Sequence, residues 1–412
     1  MPLVVLKFGG SSVADPEKIN AVARRLVAAR EQGNQVVGVL SAMGKTTDQL
    51  IGLAHDVSPL PHSREMDMLL SAGERISNAL CAMAIHDLGC DAVSLTGSQA
   101  GILTDTSHGR AKILDVRADR VHEELDRGRI VLVAGFQGVS TAQEVTTLGR
   151  GGSDATAVAI AAGLKADVCE IYTDVEGVFT ADPRIVPHAR KLDRISFEEM
   201  LELSATGAKV LMLRSVEFAR NHGVRIHVRS TFTGNPGTWV VSQEELMEHP
   251  IISGISHDTS EAEVTIVGVP DRPGIAAHVF RRLAAEGLNV DMIVQNVSHE
   301  GLTDISFTVP KADLPRAEGL FTAVGEEVGA RGVAQDPDIA RVSLIGAGMR
   351  TYPGVAADMF EALADAGVNI GMISTSSIRI SCVVPAKDVE TAVRVVHERF
   401  KLHEPQIAAE AV

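Results

Sequence analysis

Leu3-Val4-Val5-Leu6-Lys7-Phe8-Gly9-Gly10-Ser11-Ser12 reads as a strand that runs into a lysine, a tight turn and the start of a helix. The apolar run predicts the strand over residues 3–6. The paired glycines let the backbone approach another group closely. The helical pattern that follows, residues 15–32, has Asp15 at its cap, Pro16 at the first helical position and Gly33 just past its end, the positions those residues favour. Outward from this unit, apolar runs at 35–40, 92–95, 130–134 and 168–173 alternate with further helical stretches. Such alternation predicts right-handed βαβ crossovers and a mostly parallel sheet sandwiched between helices.

The whole chain has 412 residues, 45% hydrophobic and 22% charged, a composition that excludes wholesale disorder. At roughly 100–200 residues per domain it holds two to four domains. Aromatic residues are only 3% of it, so the cores are built from Val, Leu, Ile, Ala and Met. The 53 acidic residues outnumber the 38 basic ones to give −15, which disfavours nonspecific binding to nucleic acid or anionic lipid. Cys81, Cys90, Cys169 and Cys382 form no ligand-spaced pair and read as buried free thiols. The 14 histidines show no HxxxH or HExxH spacing and read as structural or exposed, so no metal site is indicated. No basic leader precedes the first apolar run, and no apolar stretch approaches the roughly 18 residues that span a bilayer. A cytoplasmic protein is expected.

Beyond a break near Gly234-Asn235-Pro236-Gly237, the chain repeats itself with a shift of 80 residues. Pro273-Gly274 aligns with Pro353-Gly354, Phe280 with Phe360, Leu283 with Leu363, Gly287 with Gly367, Asn289 with Asn369, and Met292-Ile293 with Met372-Ile373. Each copy reads strand, turn, helix, strand, strand, helix. In copy one these are 264–269, 274–286, 290–295, 303–309 and a helix from Ala312, with a fourth strand at 332–335. Copy two ends in a polar tail instead. The strand-like residues 251–256 precede copy one without a partner, and they are expected to complete the sheet of copy two.

Three stretches carry chemistry. Lys7 with Gly9-Gly10 sets an amine beside the unsatisfied N–H groups of a helix start, an arrangement that binds anions. Thr147-Leu148-Gly149-Arg150-Gly151-Gly152-Ser153-Asp154-Ala155 places a guanidinium and a carboxylate in one glycine-rich loop before a helix at 155–162, suited to a carboxylate or phosphate ligand. Thr173-Asp174-Val175-Glu176-Gly177-Val178-Phe179-Thr180-Ala181-Asp182-Pro183-Arg184 follows a strand, so it lies at a carboxyl edge, where open α/β sheets bind ligands. Two other stretches are decoys. Gly38 to Gly44-Lys45-Thr46 has five residues between its glycines, where a phosphate-cradling loop has four. Gly346-Ala347-Gly348 resembles a dinucleotide turn, but Thr351 replaces the third glycine.

Together these stretches resemble the aspartate kinases of the amino-acid kinase family. The likeness takes in Ser41-Ala42-Met43-Gly44, Ala72-Gly73-Glu74-Arg75, the run from Phe197 to Leu211 and the C-terminal repeats, which look like tandem ACT domains. It is nearest to the Lys/Thr-regulated actinobacterial type. The resemblance implies an amino-acid kinase domain over 1–245 and a linker at 246–262 holding the extra strand. Two ferredoxin-like βαββαβ ACT modules then follow at 263–340 and 341–412. It also implies ATP-dependent phosphorylation of the side-chain carboxylate of L-aspartate to 4-phospho-L-aspartate, the first step toward lysine, threonine, methionine and diaminopimelate. A carboxylate with pKa near 3.9 is already ionised at pH 7 and needs no general base, which agrees with the lack of a nucleophile–base pair.

By the same resemblance Lys7 and Asp154 are catalytic, and Ser41, Thr47, Glu74, Arg150, Gly151, Gly152 and Ser153 hold aspartate. Arg150 clamps its α-carboxylate and Glu74 receives its ammonium. Lys7, Phe8, Gly9, Gly10, Thr173, Asp174, Phe179, Arg184 and Lys209 hold ATP, and Mg²⁺ enters with the phosphates. The repeats imply inhibition by lysine plus threonine at a site built from Asp271, Gly274, Ile275, Ala276, Asn289, Asp291, Gln295 and Ser298, with Asn369 and Ile370 opposite. A homo-oligomer is expected, or a mixed assembly with a regulatory chain started at Met247. Two rivals stay open: another amino-acid kinase, or a catalytically silent amino-acid sensor. Residues 1–245 carry 25 basic and 30 acidic side chains and the remainder 13 and 23, so most of the excess acid lies in the regulatory half.

Overall fold

The apolar runs of the first half form an eight-stranded sheet in the computed structural model, which describes residues 1–246, 251–296 and 300–404. In spatial order its strands are Arg194–Ser196, Thr238–Val241, Ile226–Ser230, Val168–Thr173, Leu3–Phe8, Gln35–Leu40, Ile130–Ala134 and Ala92–Leu95. The six from Ile226–Ser230 to Ala92–Leu95 are parallel. Thr238–Val241 runs against its neighbour Ile226–Ser230.

Alternation along Leu3–Phe8 decides what each face does. Leu6 and Phe8 enter a core with Ile19, Val22 and Leu26 of the helix Pro16–Glu31 and Cys81 and Ile85 of the helix Ala72–Asp87. Lys7, one residue out of phase, points to the opposite face. There lies the helix Gly152–Leu164, buried along almost its whole length and accordingly apolar on every side. The chain leaves Leu3–Phe8 toward Gln35–Leu40 on one side and returns on the other at Val168–Thr173. That reversal of strand order opens a crevice at the carboxyl ends of the strands. A small second sheet, ordered Ile113–Val116, Ile102–Thr104, Gln137–Ser140, Val145–Thr147, belongs to the same unit.

The second compact unit holds the repeats, together with Phe179–Arg190 and Ala205–Ala208 from earlier in the chain. Its first sheet is ordered Ile293–Gln295, Leu302–Pro310, Glu261–Pro270, Gly332–Asp336 and is covered by the helices Ile275–Ala285 and Leu314–Glu327. Its second is ordered Gly254–Asp258, Ile339–Ile345, Arg379–Pro385, Met372–Thr375, with helices Val355–Asp365 and Val389–Arg399. Gly254–Asp258 pairs antiparallel with Ile339–Ile345, in the position that Gly332–Asp336 takes in the first sheet. Ala181, Ile185 and Val186 enter the core of the second module beside Ile252, Ile255 and Val396. Arg341, 1% exposed, joins the modules by meeting Glu261 at 3.0 Å and pairing closely with Asp291. Unopposed, a guanidinium so deeply buried would be strongly destabilising.

Candidate active site

Lys7 sits inside its strand, one residue before the chain leaves the sheet, and its Nζ lies 2.5 Å from Oδ1 of Asp154. Both residues are less than a tenth exposed. Asp154 is in the first turn of Gly152–Leu164, where the helix dipole favours an anion. The pair therefore places one fixed positive charge at the mouth of the crevice and holds it there.

Three loops close around that charge. Gly9 and Gly10 run against residues 41–44, with the Gly44 N–H donating to the Gly10 carbonyl at 3.0 Å and the Ser41 N–H to the Phe8 carbonyl at 3.1 Å. A Cβ on Gly10 would stand 3.0 Å from the Ala42 carbonyl oxygen. Gly151, at φ 71°, turns the chain into the helix, and a Cβ there would lie 2.1 Å from Cγ of Met212. Only glycine fits that position. Ser153 is buried, Gly152 begins the helix, and Arg150 is exposed with no hydrogen bond or ion pair among the described residues. Thr47 lies half-buried in the helix Thr46–Val57.

Glu74 supplies the second unusual charge. It lies 3% exposed in the first turn of Ala72–Asp87. One carboxyl oxygen accepts the Ala42 N–H at 3.2 Å, and the other is buried without a hydrogen-bond partner. Burial pushes its pKa up to about 7. A buried carboxyl with a free oxygen is prepared for a cation that arrives with a ligand.

Asp67 carries no motif in the sequence, yet it fixes the Arg150 loop. Fully buried, it meets Nδ1 of His108 at 2.7 Å and accepts from the Gly109 N–H at 3.0 Å and the Thr147 hydroxyl at 2.5 Å. Arg214 adds bonds to the carbonyls of Leu148, at 3.1 Å, and Ala111, at 2.9 Å.

Other residues from the sequence reading are more dispersed. The Phe8 ring is core, stacked on Tyr172 with centroids 4.8 Å apart, so only its backbone faces the loops. Thr173 donates to Asp174 at 3.1 Å at the end of its strand. Lys209 is exposed. Phe179 and Arg184 belong to the second compact unit, where Arg184 pairs with Asp182 at 2.6 Å.

Residues 2–230 match the amino acid kinase family, and residues 264–326 and 342–400 each match the ACT domain. Over 407 residues the chain is 60% identical to the aspartokinase of Mycolicibacterium smegmatis, covering 98% of this chain and 97% of that one. Against the aspartokinase of Corynebacterium glutamicum the identity is 55% with the same coverage. The chain belongs to the aspartate kinases of the amino acid kinase family.

Its fold is similar to that of Escherichia coli aspartokinase III in complex with aspartate and ADP (R-state), with a TM-score of 0.82 at 26% identity over 96% of this chain and 99% of that one. The same E. coli protein in complex with lysine and aspartate (T-state) gives 0.75 at 26% identity over 97% and 99%. In the first ACT module of this aspartate kinase, Asp271, Gly274, Ile275, Ala276 and Gln295 line one cavity of about 320 Å³ together with Pro270, Arg272, Pro273 and Thr303. Asn289, Asp291, Asn369 and Ile370 are not in its lining. Asp291 pairs with Arg341 instead, and Ile370 packs against the second module's core. Ser298 lies outside the described residues.

Proposed function

We propose that this aspartate kinase transfers the γ-phosphoryl group of ATP to the side-chain carboxylate of L-aspartate, giving 4-phospho-L-aspartate and ADP. The aspartate oxygen forms the new P–O bond as the bond to the ADP oxygen breaks. The observation that carries the reading is the buried Lys7–Asp154 pair at the reversal of strand order, within a ring of close-packed glycine loops. Phosphoryl transfer asks mainly for positioning and charge neutralisation. Lys7 supplies the charge to the transferring group, Asp154 holds the amine in place, and the N–H groups of Gly9 and Gly10 donate to phosphate oxygens. Glu74 receives the substrate ammonium, Arg150 its α-carboxylate, and Ser41, Thr47, Gly151, Gly152 and Ser153 shape the remaining contacts. Thr173, Asp174 and Lys209 hold the nucleotide.

The donor set suits a Mg²⁺ ion that arrives with the nucleotide, because Asp154 is already committed to Lys7 and offers hard oxygens without a cage around them. When bound, such an ion neutralises phosphate charge. The product is the entry to the lysine, threonine, methionine and diaminopimelate branches. Lysine with threonine inhibits through the ACT modules, the cavity at Asp271 and Gln295 being one effector site. Met247 lies outside the described residues. A regulatory chain begun there would still include Gly254–Asp258, which the second module's sheet requires. The test is aspartate-dependent ADP release, with glutamate as the control substrate. Turnover that needs aspartate and falls with lysine plus threonine is expected. Turnover independent of aspartate refutes the substrate, and indifference to millimolar effectors refutes the regulation.

A further inference from the structure

Three histidines from two distant stretches of the chain meet in the second unit. His188 comes from the segment Phe179–Arg190, His397 from the last turn of Val389–Arg399, and His403 from the turn after it, with Glu398 among them. One ligand atom from each of the four side chains lies within 4.8 Å of all the others. The ring centroids are 5.3 to 6.1 Å apart. We propose that His188, His397, Glu398 and His403 bind one zinc-class divalent ion, which ties Phe179–Arg190 to the end of the C-terminal helix.

The donor chemistry fits. Imidazole nitrogens with one carboxylate oxygen are borderline ligands of the kind that suit Zn²⁺, and four protein ligands make a closed, tetrahedral, structural site. His188 Nε2 and a Glu398 oxygen already stand 2.5 Å apart, so a small outward rotation of the two exposed side chains admits an ion between them. The Nδ1 atoms of His397 and His403 are buried and have no hydrogen-bond partner. Buried polar atoms left in this state call for an explanation, and a metal bond supplies one. His397 has its outer support in place: its Nε2 lies 3.1 Å from the Thr180 hydroxyl oxygen, which also accepts the Arg190 N–H. With Nε2–H donating to Thr180, the Nδ1 lone pair is left for the ion, the arrangement that fixes the tautomer of metal-bound histidines.

The experiment uses the full, untagged chain, stripped with a chelator and free of nucleotide. Zn²⁺ is titrated against a chromophoric competitor, and Co²⁺ replaces it for visible spectroscopy. One ion per chain, a four-coordinate Co²⁺ spectrum and a raised thermal midpoint are expected. His188→Gln, at an exposed position, and His403→Gln, at a half-buried one, should leave the fold intact and are each expected to weaken Zn²⁺ binding by more than the roughly 10–100-fold that loss of an outer-shell partner costs. Lys7→Ala should bind Zn²⁺ as the wild type does, which separates this site from any metal carried by ATP. Absence of stoichiometric Zn²⁺ binding overturns the proposal, and so does binding that survives unchanged in both histidine variants.

Discussion

Replacing Glu74 by glutamine separates a buried charge from the shape around it. The carboxyl is 3% exposed and titrates at about 7 because burial disfavours its ionised form. The folded protein thus holds this proton more tightly than the unfolded chain, where the value is near 4.5. Its contribution to stability is fully present below pH 4.5 and is lost as the pH rises through 7. By pH 8 the loss amounts to about 3 kcal/mol, at roughly 1.4 kcal/mol for every tenfold difference in proton affinity between the folded and unfolded chain. Glu74→Gln carries no such titration, so the gap in thermal midpoint between variant and wild type should widen in the variant's favour from pH 5 to pH 8. A bound ammonium reverses the preference and expels the proton. At pH 6 aspartate binding should release about 0.9 protons and at pH 8 about 0.1, from simple titration at a pKa near 7. Calorimetry in buffers of different ionisation enthalpy counts them. The variant should bind aspartate weakly and release none at either pH. Equal proton release from wild type and variant, or a wild-type aspartate affinity that is flat from pH 6 to pH 8, would refute the assignment of Glu74 to the ammonium.

Three further outcomes can be checked by steady-state kinetics and thermal unfolding. Lys7→Ala should lower kcat on the order of 100-fold or more, as loss of a preorganised charge does, with little change in aspartate KM; near-normal turnover rules out the role of Lys7. Arg150→Ala should chiefly raise the aspartate KM, since the guanidinium has no structural partner to lose among the described residues; an unchanged KM moves the carboxylate clamp elsewhere. Asp67→Asn keeps the shape but upsets three hydrogen bonds of a buried carboxylate. It should cost about 1–3 kcal/mol and raise the aspartate KM while leaving the ATP KM alone, and an unaltered aspartate KM would show that the Arg150 loop is positioned without it.

The parallel sheet was legible because its strands are short apolar runs separated by capped helices, and the repeat was legible because each module buries the same positions. Lys7 is predicted at the end of a strand over 3–6, but the strand runs to Phe8. Residues 6 and 8 bury themselves on one face, and that parity sends Lys7 to the other. The small sheet of Ile102–Thr104, Ile113–Val116, Gln137–Ser140 and Val145–Thr147 escaped notice, since strands of three or four residues are too short to establish a period. Glu74 emerged only through a resemblance. Nothing in Ala72-Gly73-Glu74-Arg75 announces that its glutamate lies beneath the loop at residue 42. Asp67 and the histidine cluster were illegible for a common reason: His108 lies about 40 residues from Asp67 and Glu398 more than 200 from His188, and spacing rules see only neighbours.

Gly254–Asp258 also has a consequence for synthesis. It pairs with Ile339–Ile345, so the first ACT module is an insertion within the second. About 90 residues separate Gly254 from its partner Ile345. At roughly 5–20 residues per second, a ribosome holds that strand unpaired for about 5–18 seconds. During this interval the first module can close on its own sheet while a bare β-edge waits beside it, the kind of surface that recruits other chains. In crowded polysomes, neighbouring nascent chains could exchange this strand, and the first opportunity for two copies to become entangled arises before either is complete.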